Sequence, residues 1–218
     1  MDFPKYPRTY HLSGSKGIED INSVPFSAVL KTNLVIEEKV DGSCVGIAFD
    51  QGKPSIKHRN QDVRGEQWDL LKAWVSEHEE ELYEKLEERY IMYGEWLYAR
   101  HTVPYDNLPH YFLEYDVFDT QDSKFLTTPT RHKFWQNTPV NSVAVLSAGE
   151  FEKPSEIVSL LGKSVYMTSG QAEGLYLKVE DDNKVVSRYK YITKSFLDEI
   201  LTSEHWSSRN LVKNSLRR

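Results

Sequence analysis

The chain has 218 residues, 39% of them hydrophobic and 12% aromatic, enough for one domain with a real core and unlike a disordered chain. No apolar run is long enough to cross a bilayer, and the N-terminus lacks the charged-then-apolar layout of a signal peptide. Cys44 is the single cysteine, which excludes an internal disulfide and a cysteine-cluster zinc site and points to a reducing cytoplasm.

The formal charge of −6 argues against a protein that coats nucleic acid nonspecifically, but its location matters more than its sum. Residues 76–90 hold seven Glu against Lys85 and Arg89, a net of −5, so the rest of the chain is −6 + 5 = −1. Basic residues gather at the end, in Arg209, Lys213, Arg217 and Arg218.

The first thirty residues read as loop, punctuated by Pro4, Pro7, Gly14, Gly17 and Pro25. Strands are expected over 33–38, 44–49 and 55–58, with Asp50-Gln51-Gly52-Lys53 as a hairpin turn. From Gln67 to Arg89, apolar residues recur at helical spacing (Leu70, Leu71, Trp74, Val75, Leu82, Leu86) opposite a charged face. Strands follow over 90–97 and 111–118, separated by a loop through Pro104 and Pro109. Short helices are expected over 131–136 and 155–161. A hairpin of 174–180 and 184–192 turns at Asp181-Asp182-Asn183, and 196–201 closes the chain as a helix. There is no repeat, linker or regular strand–helix alternation, so the expectation is one α+β domain of antiparallel sheets flanked by helices, spanning 1–218.

Chemistry is concentrated at Glu38-Lys39-Val40-Asp41-Gly42, just after the apolar Leu34, Val35 and Ile36. A lysine amine is almost wholly protonated at neutral pH, so using it on phosphate requires nearby cations or burial that lower its pKa, and groups that neutralise the triphosphate. Gly42 lets the backbone approach a ligand, and Asp41 can hold the turn. Alone, K-x-D-G also describes a surface lysine at a hairpin entrance. Arg188 and Lys190 lie two apart on a strand and project to one face, with Tyr189 and Tyr191 on the other. The seven histidines lack the i, i+4 pairing of a helical zinc site.

Six segments occur in order: Glu38-Lys39-Val40-Asp41-Gly42; Lys57-His58-Arg59; Tyr93-Gly94-Glu95-Trp96; Phe112-Leu113-Glu114-Tyr115-Asp116-Val117; Ala172-Glu173-Gly174-Leu175-Tyr176-Leu177-Lys178; and Ser187-Arg188-Tyr189-Lys190. The series resembles the nucleotidyltransferase motifs of ATP-dependent polynucleotide ligases and mRNA capping enzymes, and is most similar to the RNA ligase 2-like family. Small phage and bacterial members share phrases such as Pro7-Arg8-Thr9-Tyr10-His11-Leu12 and Gly94-Glu95-Trp96-Leu97-Tyr98-Ala99-Arg100-His101.

The resemblance implies a nucleotidyltransferase fold and an ATP-dependent RNA ligase using magnesium or manganese. Lys39 would form lysyl-AMP, with Glu38 beside the adenine, mainly through its backbone. Arg59 would contact the nucleotide and the phosphorylated end, and Glu95 would take the ribose hydroxyls. Phe112 would stack on the purine, with Tyr115 as the competing aromatic. Glu173 would hold the divalent cation, and Arg188 and Lys190 would grip the triphosphate. His11 and His101 become candidate linings of the substrate groove. Two positions depart from the pattern: Arg188 replaces a lysine, leaving any proton transfer there to Lys190, and Cys44 replaces an asparagine.

The implied partner is RNA with nicked or single-stranded ends, handled by a monomer with no membrane contact. Larger ligases add an OB-fold or helical domain. Here 196–218 is expected to be a helix and basic tail in its place, leaving substrate binding weak or dependent on a partner protein. The alternatives are a DNA ligase, a capping-type guanylyltransferase, and a non-catalytic relative that binds nucleotides or RNA ends.

Overall fold

The computed structural model describes residues 4–15, 23–58, 61–193, 196 and 210–217. In chain order the strands and helices are β1 (Tyr10–Leu12), β2 (Ser23–Val24), β3 (Leu34–Lys39), β4 (Ser43–Asp50), β5 (Lys53–His58), β6 (Gln61–Asp62), α1 (Asp69–Glu77), α2 (Glu79–Leu86), β7 (Tyr90–Trp96), β8 (Phe112–Asp119), β9 (Lys124–Phe125), α3 (Thr128–Phe134), β10 (Val145–Gly149), α4 (Pro154–Val158), β11 (Gly174–Glu180) and β12 (Val185–Ile192). They build two six-stranded sheets, one ordered β10-β3-β11-β12-β1-β2 and the other β6-β5-β4-β7-β8-β9.

Where the sequence alternates strongly, the strands form as the pattern predicts. The β4–β5 hairpin closes at Gln51 and Gly52, both with positive φ (51° and 70°), as a tight two-residue turn requires. The β11–β12 hairpin is held by the Asp181 carboxylate, which accepts from the Asn183 and Lys184 amides, both at 2.8 Å.

Three features differ from the sequence reading. The expected helix over 67–89 is two helices broken at His78, whose φ and ψ of −109° and 21° leave the helical region. Glu79, Glu80 and Glu81 thereby occupy a fresh helix N-terminus, where the helix dipole favours negative charge. The expected loop before residue 30 contains β1 and β2, of three and two residues, too short to show alternation. β1 runs parallel to both β12 and β2, so the sheet is mixed at that edge rather than wholly antiparallel. The helix expected over 196–201 lies outside the described residues apart from Phe196. Residues 210–217 run against the loop after β7, with bridges Ala99–Lys213 and Leu108–Leu216.

Each sheet buries its outer face under helices. Leu71, Trp74, Val75, Leu82 and Leu86 of α1 and α2 pack on Val45, Ile47, Phe49, Met92 and Phe112. Ile157 of α4 packs with Leu34, Ile36, Leu175 and Leu177, and Tyr189 and Tyr191 of β12 join that side. The opposite sides face each other across a cleft, and its polar contents define the site.

Candidate active site

The chain passes from one sheet to the other at the turn between β3 and β4, and Lys39 is the last residue of β3 before that crossing. Pairing of β3 with β11 sets Lys39 opposite Gly174, which places Glu173 beside it. The Lys39 Nζ lies 2.5 Å from Glu173 Oε1. The turn sits tight against the end of β7: a Cβ on Gly42 would come within 2.6 Å of the Trp96 carbonyl oxygen, so only glycine fits. Gly42 N donates to Glu95 Oε1 (3.0 Å), Asp41 N donates to the Tyr105 hydroxyl (2.8 Å), and Thr102 N donates to Asp41 Oδ2 (2.8 Å).

A pocket of about 180 Å³ opens beside this turn, lined by Tyr6, Glu37, Glu38, Lys39, Val40, Cys44, Glu95, Tyr115, Val143 and Tyr176. The Glu38 carboxylate accepts from the Ser164 hydroxyl and from Val165 N (2.9 Å), so that side chain anchors a neighbouring loop. Burial pushes the Glu95 carboxyl up to about 8, opposed by Lys39 and reinforced by Asp41 and Glu173. Burial likewise raises Glu173 to about 7 against the pull of Lys39. For Lys39, burial disfavours the ammonium, but Glu173, Asp41 and Glu95 outweigh it and the amine is raised. Burial is thus the main cause for the two glutamates, whereas the carboxylates around Lys39 prevail over its burial and hold it as an ammonium, the opposite of the lowering that its use as a nucleophile calls for.

Deeper in the cleft lies a second charged layer. Arg131 of α3 bridges Glu37 and Glu114, the latter at 3.2 Å. Lys178 of β11 reaches Glu37 (2.9 Å) and Asp116 (3.2 Å), and Arg188 Nε donates to Asp116 Oδ2 (2.9 Å). Tyr6, from the N-terminal segment, donates its hydroxyl to Asp116, lies 2.8 Å from the Tyr176 hydroxyl, and stacks under the Arg188 guanidinium.

Residues 32–192 match the RNA ligase family, well over half of the chain. The chain belongs to the RNA ligase family. No curated protein matches its sequence. Among solved structures it is similar to the Naegleria gruberi RNA ligase with PPi, with a TM-score of 0.62 and 19% identity over 80% of this chain and 53% of that one. A mutant of that ligase with ATP and Mn gives a TM-score of 0.61 and 16% identity over 82% of this chain and 54% of that one. These likenesses establish a shared α+β nucleotidyltransferase fold. The chain spans about half the length of the ligase chains it matches.

Of the residues that the RNA ligase resemblance singles out, Lys39, Glu38 and Glu95 line the pocket and Glu173 contacts Lys39. Lys190 acts electrostatically on Glu173. Arg188 shares its face of β12 with Lys190, but its Nε is bound to Asp116 and its guanidinium lies 3.9 Å from the Phe125 ring centroid. Phe112 is placed differently from the expectation: it is fully buried in the core, beside Trp74 and so close to Gly94 that a Cβ there would meet its ring at 2.4 Å. The aromatics that do line the pocket are Tyr115, Tyr176 and Tyr6.

His11 is the register partner of Lys190 and lies 3.1 Å from the Ser15 hydroxyl. His101 is buried, 3.9 Å from Asp41 Oδ1 and 3.4 Å from the Ser43 hydroxyl, so it stands behind the lysine turn. Arg59 lies outside the described residues. Tyr105, Thr102 and Tyr6 carried no motif signal, because their contacts with the site come from distant chain.

Among the described residues no group of three or more His, Cys, Asp or Glu is arranged to hold a metal, but Glu173 Oε2 is buried without a hydrogen-bond partner among them, and that oxygen fits one position of a cation's shell. Magnesium and manganese take hard oxygen ligands, completing their shell with water and phosphate when a site supplies only one or two carboxylates.

Proposed function

We propose that this chain is an ATP-dependent RNA ligase that joins 5′-phosphate and 3′-hydroxyl ends through lysyl-AMP on Lys39. The observation that carries the reading is the Lys39–Glu173 contact at 2.5 Å, beside a pocket also lined by Glu38 and Glu95, in a chain of this family.

In the first step the Lys39 amine attacks the α-phosphorus of ATP, an N–P bond forms, and pyrophosphate leaves. The amine must first lose a proton, and because the Glu173 contact favours the ammonium, that ion pair must open when nucleotide and cation enter. Glu173, whose second oxygen has no hydrogen-bond partner among the described residues, is the residue that would hold the cation, whose chemistry is to offset charge on the phosphates. Glu95, which lines the pocket, would accept from the ribose, and the base would lie against Tyr115 and Tyr176. Lys190 supplies positive charge on the Glu173 side, and Arg59 would extend the grip to the phosphorylated end. AMP then passes to the RNA 5′-phosphate, and the 3′-hydroxyl displaces it.

Arg188, bonded to Asp116 beneath Tyr6, would have to leave that contact to touch phosphate. The single cysteine supports a cytoplasmic setting, and we read the chain as one domain acting as a monomer.

The test is incubation with α-labelled ATP or GTP and magnesium, followed by a panel of nicked and single-stranded RNA and DNA. The reading predicts protein-bound label from ATP, lost in Lys39→Ala, and sealing of RNA. Label from GTP alone would make it a capping-type transferase, and label from neither would leave a non-catalytic binder.

A further inference from the structure

The segment joining β7 to β8, residues 97–111, is long, yet the active-site turn leans on it. Its Thr102 amide and Tyr105 hydroxyl hold both ends of Asp41, and Leu97 closes against Gly42. A connection with little secondary structure of its own loses considerable chain entropy on ordering, so something must fix it.

Residues 210–217 do so. Arg100 N donates to the Val212 carbonyl (2.8 Å), Ser215 N to that of Tyr105 (2.9 Å), Leu108 N to that of Ser215 (3.2 Å), and Arg217 N to that of Leu108 (2.8 Å). At the centre is Asn214, 4% exposed, with all four of its polar groups engaged. Its amide donates to the Tyr98 carbonyl (3.0 Å), and its Nδ2 donates to the Leu97 carbonyl (2.7 Å). Its Oδ1 accepts from Tyr105 N (3.0 Å), and its carbonyl accepts from the Tyr111 hydroxyl (3.1 Å). Only a primary amide gives and takes at those two side-chain positions together. A continuous path results: Asn214 fixes the backbone of Tyr105, the Tyr105 hydroxyl fixes the Asp41 amide, and Asp41 is two residues from Lys39.

We propose that Asn214 is a positioning residue for lysine adenylylation, with residues 210–217 acting as a strap that holds the 97–105 loop against the Asp41–Gly42 turn. Asn214 touches neither nucleotide nor Lys39. It acts through Tyr105, and the proposal rests on the reading of Lys39 as the nucleophile.

Asn214→Ala, Tyr105→Phe and the double variant, made in the full chain and assayed well below their melting temperatures, test it. Because geometry rather than nucleotide contact is lost, adenylylation at saturating ATP should fall about tenfold to a hundredfold in Asn214→Ala, with little change in KM for ATP. Tyr105→Phe keeps the ring and the fold while removing the acceptor for Asp41 N, and its effect should be strongly non-additive with Asn214→Ala. Amide exchange gives a readout free of activity: peptides covering 39–43 and 97–105 should exchange faster in both variants while 174–180 does not. Wild-type turnover in Asn214→Ala, additive effects, or unchanged exchange at 39–43 would overturn the positioning role. Equal acceleration at 174–180 would also overturn it, by showing general loosening. If the wild type takes no label while exchange behaves as described, the strap stands as architecture and the ligase reading fails.

Discussion

The layer around Arg131 and the corner around Lys39 share one cleft and one strand, β3, yet their charges are arranged in different ways. In the deep layer Glu37, Glu114 and Asp116 meet Arg131, Lys178 and Arg188, three against three, each within an ion pair. At the corner Asp41, Glu95 and Glu173 surround Lys39, with Lys190 acting from one side. Both regions hold buried polar atoms without a hydrogen-bond partner among the described residues: Glu173 Oε2 at the corner, and Glu114 Oε1, Arg131 Nε and Arg188 Nη2 in the layer. What separates them is charge balance and access: the layer matches anions with cations one for one, whereas the corner gathers carboxylates around one lysine, and Lys39 and Glu95 line the pocket.

The comparison can be broken by emptying each region in turn. At the corner, Glu173→Ala should lower adenylylation by more than about a hundredfold, since it removes the carboxylate that would hold the cation, while the melting temperature changes little. A variant that labels at the wild-type rate would remove Glu173 from the site. In the layer the effect should be on stability: Arg131→Met leaves Glu114 buried without its cation and Glu37 with Lys178 alone, and should destabilise by about 3–5 kcal/mol in chemical denaturation.

Acid should probe the layer more gently. Burial opposes the Asp116 charge, but Arg188 and Lys178 prevail and hold its carboxyl down at about 2, against 3.8 for the free side chain. The depressed value means that the stabilisation is complete above pH 4 and lost as pH falls toward 2, about 2 kcal/mol in all. Asp116→Asn should flatten that part of the stability–pH curve, and an unchanged slope would contradict the assignment.

The smallest effect concerns the aromatics. Tyr115→Ala should raise KM for ATP by about threefold to tenfold, the worth of one stacking contact, whereas Phe112→Leu should lower stability by about 1–2 kcal/mol with KM unchanged. The reverse pattern would restore Phe112 as the stacking residue.

These cases show what the sequence could tell. Glu95 and Glu173 stand out because each sits beside a glycine near a strand end, and Lys39 because it ends a strand three residues before Gly42; the long strands β3, β4, β7, β11 and β12 follow from their apolar and aromatic runs. Phe112 and Tyr115 occupy one strand three residues apart, and β8 pairs with an irregularity at Tyr93/Gly94, so counting from the sequence could not say which ring enters the pocket. Arg188 reads as a phosphate ligand by position, but Asp116 and Tyr6, which hold it, come from β8 and from the N-terminal segment. Asn214 lies far from every motif, and only its four hydrogen bonds reveal it.

The central claim is that Lys39 is the residue that becomes adenylylated. Intact-mass measurement after incubation with ATP and magnesium, followed by peptide mapping, tests it most directly. The account predicts the gain of a single AMP, mapped to Lys39 and absent from Lys39→Arg. An adduct on any other residue, or one retained by Lys39→Arg, would contradict it.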